Sequence, residues 1–366
     1  MAIPVQQARG VFTQQLIARW NELRELAPKS FLRSFFTQKT TDTKFVSIEV
    51  MRGTEKIAVD VLRGTEGNRN SFSKSAEKIF MPPFYHENID MTEFDKYDVL
   101  FGADTMAVSV GTIDSVINQA LDKLVILRHK IERAYELQAS QVFSSGIVQL
   151  HSGDNIDYKR KGASQKVNDP AEYWSVQSVD PRNQLKAGAN FLRTVGKAGV
   201  GVFDIILGQV ALADFIANPF IVNDKIKDVK LIDLRSPQAT ATGAILHGQI
   251  SAGSYLFNIW SYPENYDNAS NVSTPYIDDN YMYMLPTNGT RFDFAFAGVP
   301  AIVKDTRNEQ FPELITSVAG DYVIGNYIDP AKKKHVFEIM SAGLAVPVAV
   351  DRIYSAKVTG TEVVGG

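Results

Sequence analysis

Residues 31–36 read Phe31-Leu32-Arg33-Ser34-Phe35-Phe36, a dense apolar cluster built around a single arginine. Working outward from it, Phe12, Leu16, Trp20 and Leu23 recur at helical spacing on the N-terminal side. They predict a short helix over 12–26 that ends before Pro28. On the C-terminal side, KFVSIEVM (44–51) and KIAVDVLR (56–63) alternate apolar and polar residues and are separated by Arg52-Gly53-Thr54-Glu55. That pattern predicts two strands joined by a tight turn. Gly64–Glu77 is polar and rich in Gly, Asn and Ser, so an exposed, mobile stretch is expected there.

The strongest periodic signal lies at 112–143. Ile113, Val116, Ala120, Leu124, Leu127, Ile131, Tyr135 and their neighbours repeat at spacings of three and four. Thr112 is the expected N-cap, and Gly146 stands just past the end. The charges Asp122, Lys123, Arg128, Lys130, Glu132, Arg133 and Glu136 alternate in sign and are read as one solvated face.

Residues 151–170 form a polar break. A second helix is predicted from Asp180-Pro181 to about Gly199, with Leu185, Ala189, Leu192 and Val195 inward. Val202–Leu207 reads as a buried strand, followed by a helix over 208–217 that stops at Pro219. VKLIDL, AILHGQI and YLFNIW within 229–262 are strand candidates. Residues 263–290 read as a long loop, 292–303 and 321–327 as strands, and 344–358 as a closing strand in which Pro347 marks an edge or a break. Between Tyr255 and Tyr283 lie six of the 14 tyrosines, a residue suited to interfaces. No repeat appears, and the mixture is α+β with long excursions instead of regular βαβ alternation.

The 366 residues are 45% hydrophobic and 22% charged, enough for a real core. No apolar run approaches the roughly 20 residues of a membrane helix, and MAIPVQQARG lacks the pattern of a signal peptide, so synthesis in the cytosol is expected. Cysteine is absent, which excludes disulfides and thiol chemistry. The net charge of −3 does not fit a dedicated nucleic-acid binder. Charge is nonetheless uneven. Residues 1–40 carry six cations against Glu22 and Glu25, whereas 258–290 carry Glu264, Asp267, Asp278 and Asp279 with no cation. Two solvated surfaces, or patches that register one copy on another, both fit this.

Chemistry-bearing motifs fail one by one. Gly199-Val200-Gly201 meets Asp204 where a third glycine belongs and is followed by a strand. Gly253-Ser254 is not a nucleophile elbow, and His86-Glu87 finds no second histidine. The histidines at 86, 129, 151, 247 and 335 share no ligand spacing. The stretch 267–271 breaks the calcium-loop pattern at Ala269, leaving Asp278-Asp279 as a weak cation candidate. No catalytic, cofactor-binding or metal-ligating residue is assigned, and no cofactor is expected.

The 31–36 cluster, followed in order by the ribbon at 44–63, the extended stretch Phe80–Thr92, the long helix at 112–143, Tyr173-Trp174, Asp180-Pro181, Val202-Phe203-Asp204 and the closing Val346-Pro347-Val348, resembles the phage major capsid protein E family. The resemblance implies the tailed-phage and herpesvirus capsid fold of the Hong Kong-97 type. Residues 1–40 would be an N-terminal arm and 41–85 an extended loop lying over a neighbour. Residues 86–201 and 331–366 would form a peripheral domain with 112–143 as its spine helix, and 202–330 an axial domain. It further implies a non-enzymatic major capsid protein of a tailed bacteriophage. Hexamers and pentamers of it would close an icosahedral head around double-stranded DNA, which is held by weak non-specific contact. Expected partners are copies of itself, a scaffolding protein, a portal and a decoration protein, with no membrane. The expected place is the virion, after assembly in the bacterial host cytoplasm. An encapsulin-type compartment remains an alternative within the fold, and a soluble hydrolase or carbohydrate-binding protein with a dispersed site is one outside it.

Overall fold

The structure is a computed structural model that describes residues 19–20, 30–44, 46–50, 76–92, 111–150, 155–199, 201–226, 232–233, 237–268, 270–304, 313–318, 320–329 and 334–360. The first half of the described chain holds β1 (Thr37–Thr40), β2 (Val46–Val50), β3 (Ala76–Phe80), β4 (Phe84–Thr92), α1 (Gly111–Ser144), β5 (Ile147–Gln149), β6 (Asn155–Asp157), β7 (Gln165–Val167) and α2 (Pro181–Thr194). Then follow β8 (Val202–Leu207), α3 (Gln209–Ala217), α4 (Pro219–Ile226), β9 (Ile232–Asp233), β10 (Gln238–Ala239), β11 (Ile245–Ala252) and β12 (Tyr255–Ser261). The last part holds β13 (Asn265–Asp267), β14 (Ser273–Pro275), β15 (Tyr281–Pro286), β16 (Phe292–Phe296), β17 (Val299–Lys304), β18 (Glu313–Val318), β19 (Val323–Asp329), β20 (Lys334–Pro347) and β21 (Tyr354–Lys357).

Two sheets organise these elements. In the first, β20 is the common partner. Its residues 334–342 pair antiparallel with β4, 334–340 with β19, and 343–347 with β16, beyond which β1 runs parallel. The second has the order β10-β11-β12-β8-β15-β21-β7, with β9 on β11. Alternation along β8 explains how this sheet divides its contacts. Phe203, Ile205 and Leu207 join Leu185, Ala189 and Leu192 of α2 and Ala211 and Phe215 of α3, whereas Ile206 joins the core of α1 and the first sheet.

α1 lies against β20. Its buried stripe runs through Ala120, Leu124, Arg128, Ile131, Tyr135, Ala139 and Val142, one residue every three or four. Arg128 and Glu136, expected on a solvated face, are only 7% and 2% exposed. The expectation fails because each finds partners inside. Arg128 bonds Glu132 and lies over the Trp20 and Tyr322 rings, and Glu136 receives backbone donors from the 31–36 segment. Thr112 follows a helical Gly111 and is itself helical, so it does not cap the helix. At the other end the Gly146 N–H donates to Gln141 O, with Gly146 at φ +71°, the left-handed stop that glycine accepts readily.

Several expectations shift at element boundaries. β2 pairs with β3, so Ala76 and Glu77 belong to a strand. The expected partner at 56–63 lies outside the described residues, as does the predicted 12–26 helix except for Arg19 and Trp20, which are helical. Asp180 caps α2 through Arg182 N, and Pro181 supplies the fixed first φ. The helix ends at Thr194 instead of near Gly199, because the Val195 and Gly196 N–H groups close on Phe191 O. Pro219 does follow the end of α3, yet it also opens α4, with Asn218 Oδ1 accepting from Phe220 N. The expected loop at 263–290 contains the β13–β14 hairpin and β15, whose Met282, Met284 and Leu285 are fully buried. The polar break at 151–170 contributes β6 and the edge strand β7. The closing segment splits at Pro347, with β20 before it in one sheet and β21 after it in the other.

Candidate self-association elements

The 31–36 cluster folds as one 3-10 turn, Leu32–Phe35, and docks on its own α1. Glu136 is the anchor: Oε1 accepts from Leu32 N at 2.7 Å and Oε2 from Arg33 N at 3.2 Å, while Tyr262 also hydrogen-bonds to the carboxylate. Burial raises the Glu136 pKa, and these hydrogen bonds pull the other way. The Arg33 guanidinium lies over the Tyr135 and Phe294 rings. Phe31 packs on Trp260 and Tyr262, and Phe36 on Phe143, Phe292 and Phe294. The cluster therefore ties three parts of one chain together. These aromatics are largely consumed within the subunit, and Phe31 and Phe36 are buried.

The tyrosines follow the same rule. Tyr262, Tyr276 and Tyr283 are buried, and Tyr262 and Tyr276 lie ring to ring. Ser140 of α1 donates to Tyr276 O, so this stretch covers its own domain.

Two half-buried arginines fasten helix ends. Arg160 donates to the Phe143 and Ser144 carbonyls at the end of α1, and also to Ser164 O and Ser355 Oγ. A helix C-terminus carries partial negative charge and unpaired carbonyls, so an arginine fork suits it. Burial lowers the Arg160 pKa to about 10. Arg352 does the same beyond α2, donating to the Gly196 and Lys197 carbonyls. Sequence reading missed Glu136 and Arg160. The signal for Glu136 was its place beside Tyr135 on the apolar stripe.

The remaining singled-out residues stay apart. His86 bonds Glu338, His335 bonds Asn326, and His247, its pKa lowered by burial, bonds Ser261. His129 lines an open groove of about 500 Å³ with Glu132, Arg133 and Glu264. His151 lies outside the described residues. Asp204 accepts from Asn258 and Trp260 across the second sheet. Asp278 caps the turn at Asn280 and, with Asp279, lines a second groove of about 680 Å³. Among the described residues no three His, Asp or Glu side chains are grouped to hold a metal ion.

A family model described as phage major capsid protein E matches residues 12–358. Among solved structures, the chain is similar to a capsid protein of a prophage of E. coli CFT073, with a TM-score of 0.62 and 14% identity over 96% of this chain and 100% of that one. It is also similar to a phage-related protein of Bordetella bronchiseptica RB50, with a TM-score of 0.49 and 8% identity over 90% and 92% of the two chains. No curated protein sequence matches the chain.

Proposed function

Since the chain belongs to the phage major capsid protein E family, we propose that its copies form hexamers and pentamers that close an icosahedral head around double-stranded DNA. The chain is the major capsid protein of a tailed phage, and its α+β fold is of the Hong Kong-97 type. Its role is structural and its place is the virion. The family match across nearly the whole chain carries this conclusion, and it favours a structural role over the hydrolase and carbohydrate-binding alternatives.

In this reading 1–40 is the arm and 41–85 the extended loop. Residues 86–201 and 331–366 form the peripheral domain, with α1 as spine helix, and 202–330 the axial domain. The packing of α1 on β20 supports a peripheral body, and the sheet around β8 supports an axial one. β16 on β20, and β21 on β15, would stitch the two together. Assembly takes place in the host cytoplasm with a scaffolding protein, a portal and a decoration protein as partners, and the DNA is held weakly.

Size-exclusion chromatography and electron microscopy of the expressed protein test this. Closed shells or capsomer rings are expected. A strict monomer, even with scaffolding protein added, would overturn it, and shells that enclose a co-purifying enzyme in place of DNA would favour an encapsulin-type compartment.

A further inference from the structure

The stretch 287–291 carries the chain from β15 in the second sheet to β16 in the first. It is pinned on both sides. Thr287 N donates to Val202 O at 3.2 Å, and the Thr290 hydroxyl donates to Phe35 O at 3.1 Å. Between them Gly289 O accepts from Arg352 Nη1, whose guanidinium also holds the Gly196 and Lys197 carbonyls beyond α2. One short link thus ties together both sheets, the 31–36 turn and the end of α2.

The middle of this link is bare. Asn288 and Gly289 are exposed, and among the described residues nothing hydrogen-bonds the Asn288 side chain or the Gly289 N–H. Gly289 is at φ +70°, and no atom comes closer than 3.6 Å to where its Cβ would stand. The pair is also the chain's single Asn-Gly. Asparagine is thermolabile, because the next main-chain nitrogen lies within reach of its side-chain carbonyl carbon. A glycine at that next position has no side chain to obstruct the approach. Asn268, also on a loop, differs on both counts: Ala269 follows it, and its Oδ1 accepts from Ser270 N and Val272 N.

We infer that Asn288 is a self-modification site. The Gly289 nitrogen attacks Asn288 Cγ, the Cγ–Nδ2 bond breaks, and the Gly289 amide proton leaves with that nitrogen as ammonia. Water then opens the succinimide ring. Addition at Cγ gives aspartate, and addition at the main-chain carbonyl gives isoaspartate, whose main chain runs through Cβ and Cγ. Either product carries a carboxylate that is ionised at neutral pH. Isoaspartate also lengthens the main chain, and a lengthened link does not keep Thr287, Gly289 and Thr290 all at their partners. Conversion therefore loosens the junction of the two sheets.

Folded and urea-denatured subunits are incubated at mildly alkaline pH, then mapped by peptide mass spectrometry and isoaspartyl methyltransferase labelling. Folded chains should convert at 288 within about threefold of the denatured rate. Conversion about tenfold or more slower in the folded chain would overturn the inference, because the fold would then shield the pair. In a second arm, aged wild type should melt lower than fresh protein. Aged Asn288→Gln, which resists ring closure, and fresh Asn288→Asp, which carries the charge on an unaltered main chain, should both melt as fresh wild type does. An unchanged melting temperature in wild type that carries isoaspartate, or an equal loss in fresh Asn288→Asp, would overturn the loosening. These experiments need only the folded subunit, so a failure to form shells leaves them standing, and shielding of Asn288 leaves shell formation untouched.

Discussion

Glu136 is a carboxylate held out of water on the inner face of α1, kept there by the Leu32, Arg33 and Tyr262 donors. Desolvation still outweighs them and raises its pKa. The folded chain thus binds this proton more tightly than the unfolded chain, where a glutamate titrates near ~4.3. Its contribution to stability is full below that value and is lost as pH rises through the raised folded value. Glu136→Gln abolishes the titration and keeps one acceptor, whereas Glu136→Ala strands two backbone donors. At neutral pH the alanine variant should lose about 2–3 kcal/mol and the glutamine variant less. The wild type should gain on Glu136→Gln as pH falls towards ~4.3. Urea denaturation of unassembled subunits at both pH values checks this, and parallel pH dependence in the two proteins would exclude Glu136 as the source. Sequence reading placed Glu136 and Arg128 in water because charge type was weighed above position. Arg128 stands four residues after Leu124 and three before Ile131, squarely on the buried stripe. The partners that make its burial tolerable, Trp20 and Tyr322, are distant in sequence, and no local pattern announces them.

At the scale of elements, α1 and β8 were legible because one period, 3.6 or 2, governed a long enough run. β15 was not. Its Tyr-Met-Tyr-Met-Leu-Pro lies among Asn, Asp and Pro, and those turn formers hid an apolar strand. The β2–β3 pairing was illegible for another reason: its partner lies beyond a 25-residue interval, too far for turn chemistry to signal. The approach of α1 to the first sheet depends on a single missing side chain. A Cβ at Gly343 would lie 2.8–2.9 Å from ring atoms of Phe294, Phe296 and Tyr135. Gly343→Ala should therefore cost about 1–3 kcal/mol through overpacking, with α1 pushed off β20. The denaturation midpoint reads this directly, and an unchanged midpoint would mean that the rings have room to retreat.

For the whole molecule, the family was legible from the order of segments, but which surfaces face neighbours was not. The tyrosines looked like contact residues and, like the aromatic cluster, are largely packed within the subunit, because aromatic side chains serve cores and interfaces by the same physics. Charge is more direct. With net −3 and its basic residues partly committed to helix ends and rings, the isolated subunit should not retain double-stranded DNA at roughly 150 mM salt in a mobility-shift assay. Retention there would overturn the proposal of weak contact with the packaged genome. β20 has a further consequence. It joins β4, β19 and β16, and β21 a few residues on sits between β15 and β7. Both sheets are thus completed by 334–357, a stretch that leaves the ribosome after nearly everything it must pair with. Until then the apolar side of α1 lacks β20, the strand it lies against, and long-range pairing of this kind forms slowly. A ribosome that stalls early releases a chain that cannot finish either sheet. A chain cut before residue 334 should therefore be degraded faster by protease than the full chain, and equal resistance of the two would show that β20 and β21 are dispensable for closing the sheets.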